Sequence, residues 1–339
     1  AVEARKNVVF PDPVAGHRSV AVEEGEHRLG FNVGQRALAD GPARRRPWVA
    51  DLLLSLRPAQ WTKNLILFAG LIFGGRLFDP SAVKASVLGF LVFCVLSGVV
   101  YLVNDVRDVV ADRLHPTKSR RPIAAGAISP TSALTAAFIL VSAGLGIAWW
   151  LGPSFGLVAT AYVTLLTIYS TALKHLVILD VLTIAGGFVL RAVGGAVVIG
   201  VAISHWLLVI TLLGALFLAL GKRRGEIATL VDGGTGHRPI LAHYSTELLD
   251  QLITIVASAT LLAYAFYTIS PDTVAKFGTD RLLFTLPFPL YGVFRYLYLI
   301  HKHDGGANPS ETLISDRPIL LCVALWACAV AVIIYGPWR

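Results

Sequence analysis

The sequence predicts an all-α, polytopic membrane protein with nine transmembrane helices and a cytoplasmic N-terminus. Three observations lead there. The 339 residues are 55% hydrophobic and 15% charged, with a mean hydropathy of +0.68. A soluble domain carries about a quarter charged residues. Apolar segments near the ~20 residues that cross a hydrocarbon core recur along the chain. The connections between them alternate between basic and almost uncharged. The net charge of +8 then belongs to cytoplasmic loops and phosphate contacts, and no nucleic-acid partner is expected.

Residues 1–47 hold eight Lys/Arg and six Asp/Glu and end in Arg44-Arg45-Arg46. They lack an apolar h-region, so a flexible cytoplasmic tail is expected and a cleavable signal peptide is not. Residues 48–339 are expected to form one transmembrane domain, with spans at 62–79, 82–103, 131–151, 154–173, 177–200, 205–221, 248–269, 281–300 and 317–335. The loops 104–130, 174–176, 222–247 and 301–316 contain eleven basic residues, while the opposite connections 80–81, 152–153, 201–204 and 270–280 hold only Lys276. The positive-inside rule places the basic loops and the N-terminus in the cytoplasm and the C-terminus outside. Cys94, Cys322 and Cys328 all lie in apolar runs and read as small hydrophobes.

The candidate chemistry begins directly after the second span, at Asn104-Asp105-Val106-Arg107-Asp108-Val109-Val110-Ala111-Asp112. On a helix, residues three and four apart share a face, so Asn104, Asp105, Asp108 and Asp112 line one side. Such oxygens repel one another unless a hard cation neutralises them. Mg²⁺ accepts one or two carboxylates together with substrate phosphates, which fits this set. The basic run that follows, His115-Pro116-Thr117-Lys118-Ser119-Arg120-Arg121-Pro122, offers Lys118, Arg120 and Arg121 to the same anion.

Other candidates sit on the same side. Lys63 and Asn64 open the first span, within Arg57-Pro58-Ala59-Gln60-Trp61-Thr62-Lys63-Asn64, where an interfacial anchor is the simpler reading of the Trp. Lys174 follows the fourth span and also reads as a snorkelling lysine. Asp180 and Arg191 lie inside an apolar run, eleven residues apart, and share a face. Intramembrane charges are costly and line cavities, so both substrate contact and pairing with a neighbouring helix stand open for them. Gly186-Gly187 and Gly194-Gly195 read as close-packing positions. Lys222, Arg223 and Glu226 begin the next basic loop, while His301-Lys302-His303-Asp304 reads as solvated.

These residues resemble a known family. Arg57-Pro58-x-Gln60-Trp61-x-Lys63-Asn64, Asn104-Asp105-x-x-Asp108-x-x-x-Asp112 and His115-Pro116-x-Lys118-x-x-Arg121-Pro122-Ile123-Ala124-x-Gly126 resemble the UbiA superfamily of intramembrane prenyltransferases. Leu173-Lys174-His175 and Gly221-Lys222-Arg223-x-x-Glu226 point to its decaprenyl-phosphate phosphoribosyltransferase branch. The likeness covers roughly residues 50–339. One departure matters. Members that use prenyl diphosphates carry a second Asp-rich motif where this chain has Lys222, Arg223, Arg224 and Glu226.

The resemblance implies a UbiA-like helical bundle and a Mg²⁺-dependent transferase in a bacterial inner membrane, its site facing the cytoplasm. It implies transfer of 5-phosphoribosyl from phosphoribosyl diphosphate to a polyprenyl phosphate, releasing pyrophosphate, for cell-envelope glycolipid precursors. In that reading Asp105, Asp108 and Asp112, with Asn104, hold Mg²⁺ and the donor diphosphate. Lys118, Arg120 and Arg121 neutralise the departing charge, and Lys174, Lys222 and Arg223 hold the lipid phosphate. Lys63, Asn64, Arg191 and Glu226 complete the substrate site. The alternative is a prenyltransferase moving a polyprenyl group from its diphosphate to an aromatic acceptor. A transporter fits less well, because nearly all charges crowd one side of the bilayer.

Overall fold

A computed structural model describes residues 46–231, 239–302 and 315–336. The expected tail 1–47 lies outside them but for its last two residues. The described residues are helical, with no strand among them. Eight helices are long and apolar enough to cross a membrane: Pro80–Arg107, Pro130–Leu151, Pro153–Thr171, Leu179–Val197, His205–Ala228, Thr246–Ile269, Arg281–Lys302 and Arg317–Tyr335. These account for eight of the nine expected spans.

The ninth, 62–79, is built differently. After the short helix α1 (Trp48–Ser55), the chain runs as a 3-10 helix from Pro58 to Phe68 and then as α2 (Ala69–Phe73). A 3-10 helix rises ~2 Å per residue, so this stretch reaches about the length of a ~20-residue α-helix. Its tight winding has a packing cause. Gly70 and Gly195 let the stretch seat against α7 (Leu179–Val197) backbone to backbone; a Cβ on Gly195 would overlap the Leu67 carbonyl.

The remaining helices follow in order. They are α3 (Pro80–Arg107), α4 (Val109–Leu114), α5 (Pro130–Leu151), α6 (Pro153–Thr171), α7, α8 (His205–Val231), α9 (Thr246–Ile269), α10 (Pro271–Phe277), α11 (Pro287–Lys302) and α12 (Arg317–Tyr335). A cap followed by Pro starts several of them, as with Asp79 before Pro80 and Ser129 before Pro130. The cap oxygen satisfies orphan amides, and Pro fits where no N–H is needed. The Ser81 hydroxyl and the Ala82 amide hold the Asp79 carboxyl down at about 2.

Neighbouring helices in sequence pack together through α5, α6, α7, α8 and α9, and α3 closes against α5, α6, α7 and the 3-10 stretch. In α3 and α7, 56% of the apolar window is buried, against 22% in α5 and α12. The two innermost helices are therefore those that carry the acidic motif and Asp180–Arg191. Phe93, Phe155 and Tyr162 fill the centre around Gly194. Cys94 and Cys322 are buried thiols outside any disulfide, but each has a polar contact: Cys94 accepts from Asn64, and Cys322 donates to the Phe288 carbonyl. Cys328 is exposed.

Gly195→Ala sets a Cβ against a backbone carbonyl that cannot step aside. It should destabilise the bundle by about 3 kcal/mol, at the upper end of overpacking costs. Thermal unfolding in detergent reads the loss, and an unchanged midpoint would exclude the close approach.

Candidate active site

The acidic motif lies where α3 meets α4. Asp108 caps α3, yet the i→i−4 ladder continues across it: the Asp108 amide donates to Asn104 at 2.9 Å and the Asp112 amide to Asp108 at 2.8 Å. The backbone ladder continues through the junction, but the expected common face divides: Asp105 and Asp112 are buried, at 3% and 4% exposure, while Asp108 is exposed.

The two buried carboxylates converge on one cation. Arg121 donates to Asp105 at 3.0 Å and to Asp112 at 2.6 Å through the same nitrogen, and Arg57 forms a second pair with Asp105. Arg57 adopts left-handed backbone angles (φ 54°), and its guanidinium stacks over the Tyr101 ring at 4.7 Å. The basic run after the motif thus folds back onto it. Lys118 and Arg120 sit on the same short 3-10 turn, ahead of Arg121.

The metal expectation can be tested on this donor set. Among the described residues no three His, Cys, Asp or Glu side chains converge as a metal cluster. Asp108 stands apart at the helix junction, and Arg121 holds the other two. Two converging carboxylates nevertheless meet the requirement of Mg²⁺, which takes one or two carboxylates and completes its shell with phosphate and water. The residues fit the ion as partners of a phosphorylated substrate, not as a preformed cage.

A second constellation lies deeper. Arg191 is 6% exposed; its Nε donates to Asn64 at 2.7 Å and a terminal nitrogen to the Tyr162 hydroxyl at 2.5 Å. The guanidinium also lies over the rings of Tyr162 and Phe188. Every one of these partners is neutral, so the buried charge is oriented without being cancelled. Lys63 lies within electrostatic reach of Arg191, Lys222 and Arg57. Four cations from the loop after α1, the 3-10 stretch, α7 and α8 therefore share one region.

The third constellation resolves the two readings of Asp180 and Arg191. They do not pair with each other. Asp180, fully buried, accepts from Arg223 at 2.7 Å and from the Tyr244 hydroxyl at 2.8 Å. Arg223, 1% exposed, also donates to Glu226 at 2.7 Å, and Lys222 approaches Glu226 at 4.0 Å. Arg223 was expected to hold phosphate; its guanidinium is instead committed to two carboxylates. Lys174 sits half-buried on the 3-10 turn Leu173–His175. His301 pairs with Asp250 at 3.4 Å, while His303 and Asp304 lie outside the described residues.

Sequence reading missed Tyr162 and Tyr244. The signal for Tyr162 was available, since a phenol in a membrane helix needs a partner for its hydroxyl. Tyr244 carried none, because its partner lies 64 residues away.

The family model described as "UbiA prenyltransferase family" matches residues 64–315. The chain belongs to this family. Decaprenyl-phosphate phosphoribosyltransferase of Mycolicibacterium smegmatis is 33% identical over 300 residues, covering 85% of this chain and 93% of the relative. The enzyme of that name from Mycobacterium tuberculosis is 33% identical over 295 residues, covering 85% of this chain and 96% of the relative. A UbiA homologue from Archaeoglobus fulgidus, solved bound to GPP and Mg²⁺, matches with a TM-score of 0.64 at 20% identity. The match covers 84% of this chain and 99% of that one. The fold is thus that of a multi-pass UbiA-family membrane protein.

Arg223→Gln removes the cation that the buried Asp180 faces on α8 and leaves that carboxylate only the Tyr244 hydroxyl. Breaking one side of a buried pair costs about 3–5 kcal/mol. A drop of that size in unfolding free energy should follow in detergent; near wild-type stability would mean the pair is not buried as described.

Proposed function

We propose that the protein transfers 5-phosphoribosyl from phosphoribosyl diphosphate to a polyprenyl phosphate, releasing pyrophosphate. One observation carries this reading. Among the described residues, carboxylates converge on an arginine at two places, and the two differ in exposure. Asp105 and Asp112 are held by the partly exposed Arg121, with Arg57 on Asp105, while Asp180 and Glu226 are taken up by the buried Arg223, with the half-exposed Lys222 beside it at the end of α8. One reachable acidic pole and one whose carboxylates are already neutralised suit one metal-bound diphosphate and one metal-free phosphate. Two prenyl-diphosphate metals would call for reachable carboxylates at both poles. The likeness to phosphoribosyltransferases over 85% of the chain supports the same choice.

In this reading Asp105, Asp108 and Asp112, with Asn104, hold Mg²⁺, which when bound draws charge from the diphosphate leaving group. Arg121 moves from the carboxylates onto the diphosphate as it enters, and Lys118 and Arg120 add charge at the mouth. Ionisation at the ribose C1 gives an oxocarbenium-like centre, as in glycosyl transfer. The lipid phosphate is already anionic, so no general base is required. Lys174 and Lys222 hold it, and the uncancelled charge of Arg191, with Lys63 and Asn64, forms the cationic floor. Arg223 and Glu226 brace Lys222. Positioning and charge stabilisation supply the catalysis.

Residues 48–339 constitute the catalytic unit. The stretch Pro58–Phe73 makes the ninth crossing, with the basic loops and the site on the cytoplasmic face of a bacterial inner membrane and the N-terminus on that side.

Purified protein incubated with labelled phosphoribosyl diphosphate, polyprenyl phosphate and Mg²⁺ should yield a labelled phospholipid identified by mass spectrometry. Labelled lipid should disappear when EDTA removes the ion. No labelled lipid, with turnover of a prenyl diphosphate and an aromatic acceptor, would overturn the assignment. Asp108→Asn should lose nearly all activity at any lipid concentration with its fold intact, since the side chain is exposed. Lys222→Ala should chiefly raise KM for the lipid phosphate; a selective loss of donor affinity would mean that the two poles are reversed.

A further inference from the structure

Among the described residues, two that are not glycine adopt positive φ, Arg57 and Ile178. Arg57 touches the acidic motif. Ile178 touches nothing in the site directly, and it is the stranger of the two. Its angles are φ 68° and ψ −43°, and a β-branched residue at positive φ is disfavoured by its own Cβ. The amide of Leu179 donates to the carbonyl of Val177 at 2.8 Å, closing a three-residue γ-turn around Ile178. Such strain persists when surrounding contacts over-determine it.

The contacts are on hand. The Ile178 amide donates to the Tyr244 hydroxyl at 2.7 Å, and that hydroxyl donates to Asp180 at 2.8 Å. Asp180 then binds Arg223, Arg223 binds Glu226, and Glu226 lies against Lys222. An unbroken polar chain thus runs from the strained turn to the basic end of α8. Immediately before the strained residue lies the 3-10 turn that carries Lys174, packed against the segment Pro239–His243 that leads into Tyr244. Burial pushes the Tyr244 phenol up to about 12, so its hydroxyl remains a donor throughout the neutral range.

The geometry points to Tyr244 and Ile178 as positioning residues: the Tyr244 hydroxyl, joining the Ile178 amide to Asp180, holds the Lys174 turn in fixed register with Lys222. The hydrogen bond is the means, and it works against the strain. A backbone at 178 made more flexible, or released from that bond, lets the turn leave its register with Lys222. The identity of that phosphate rests on the proposed function; the clamp itself does not.

Three variants separate a positioning role from a structural one. Ile178→Gly tolerates φ 68° without strain, and the Ile178 side chain is 48% exposed, so little packing is lost. Ile178→Ala keeps a Cβ and hence the constraint. Tyr244→Phe removes the hydroxyl that ties the turn down. In detergent, Ile178→Gly and Tyr244→Phe should speed hydrogen exchange of the 174–180 amides, while Ile178→Ala should not. KM for polyprenyl phosphate should rise on the order of tenfold or more in the first two, since small misplacements of a binding group are costly. KM for phosphoribosyl diphosphate should stay near wild type, and the melting temperature of Ile178→Gly should hold or rise. Unchanged exchange in both variants would overturn the clamp. Faster exchange with an unmoved lipid KM would overturn its positioning role. If wild-type protein makes no phosphoribosyl lipid, the proposed function fails, and the exchange comparison still decides the clamp.

Discussion

Charge inside an apolar bundle has to be answered by charge or by oriented dipoles, and the Asp180–Arg223 pair is where this protein meets that requirement most completely. Both groups are at most 1% exposed, on adjacent helices, at 2.7 Å. Asp180 alone would be an uncompensated ion in a low-dielectric interior, and Arg223 would keep only Glu226. Together they fix how α7 and α8 face each other. Through Tyr244 they also fix the chain entering α7. The position of Lys222, one residue before Arg223, follows from that pairing.

The same constraint is met differently at the two other buried constellations. At the acidic motif, Arg57 and Arg121 reach in from flanking segments that are partly exposed. Their partial exposure leaves these cations, unlike Arg223, open to solvent. Arg191 is answered by an amide, a phenol and two ring faces, which orient the guanidinium and leave its charge available. Charge is thus cancelled in the interior at one constellation, cancelled by partly exposed cations at a second and left uncancelled at the third. That gradient separates scaffold from site.

Much of this was legible in the chain. The meeting of Asp105 and Asp112 was readable from helical spacing, which the hydrogen-bond ladder keeps through the junction; that Asp108 stays exposed while those two are buried was not. Of the two glycine pairs of α7 read as packing positions, Gly194-Gly195 is crowded by Phe93 and Leu67, whereas a Cβ on Gly186 or Gly187 would meet its neighbours only at ordinary contact distance. The helical form of the first expected span was not legible. Its apolar run satisfied the length rule, but its winding is set by contact with Gly195, 128 residues from Leu67. Arg223 looked like a free cation because its partner Asp180 lies 43 residues away.

By itself, the sequence determined which segments are apolar, which connections are basic and which residues recur at helical spacing. Those properties depend on composition and on neighbours within about four residues, so a linear reading captures them. Tertiary structure alone decided which charges are cancelled and which remain available, because a cation's availability depends on what other helices bring to it. It also decided that Ile178 is held against its own preference. No local signal encodes that, since the Tyr244 hydroxyl that holds it arrives from 66 residues away.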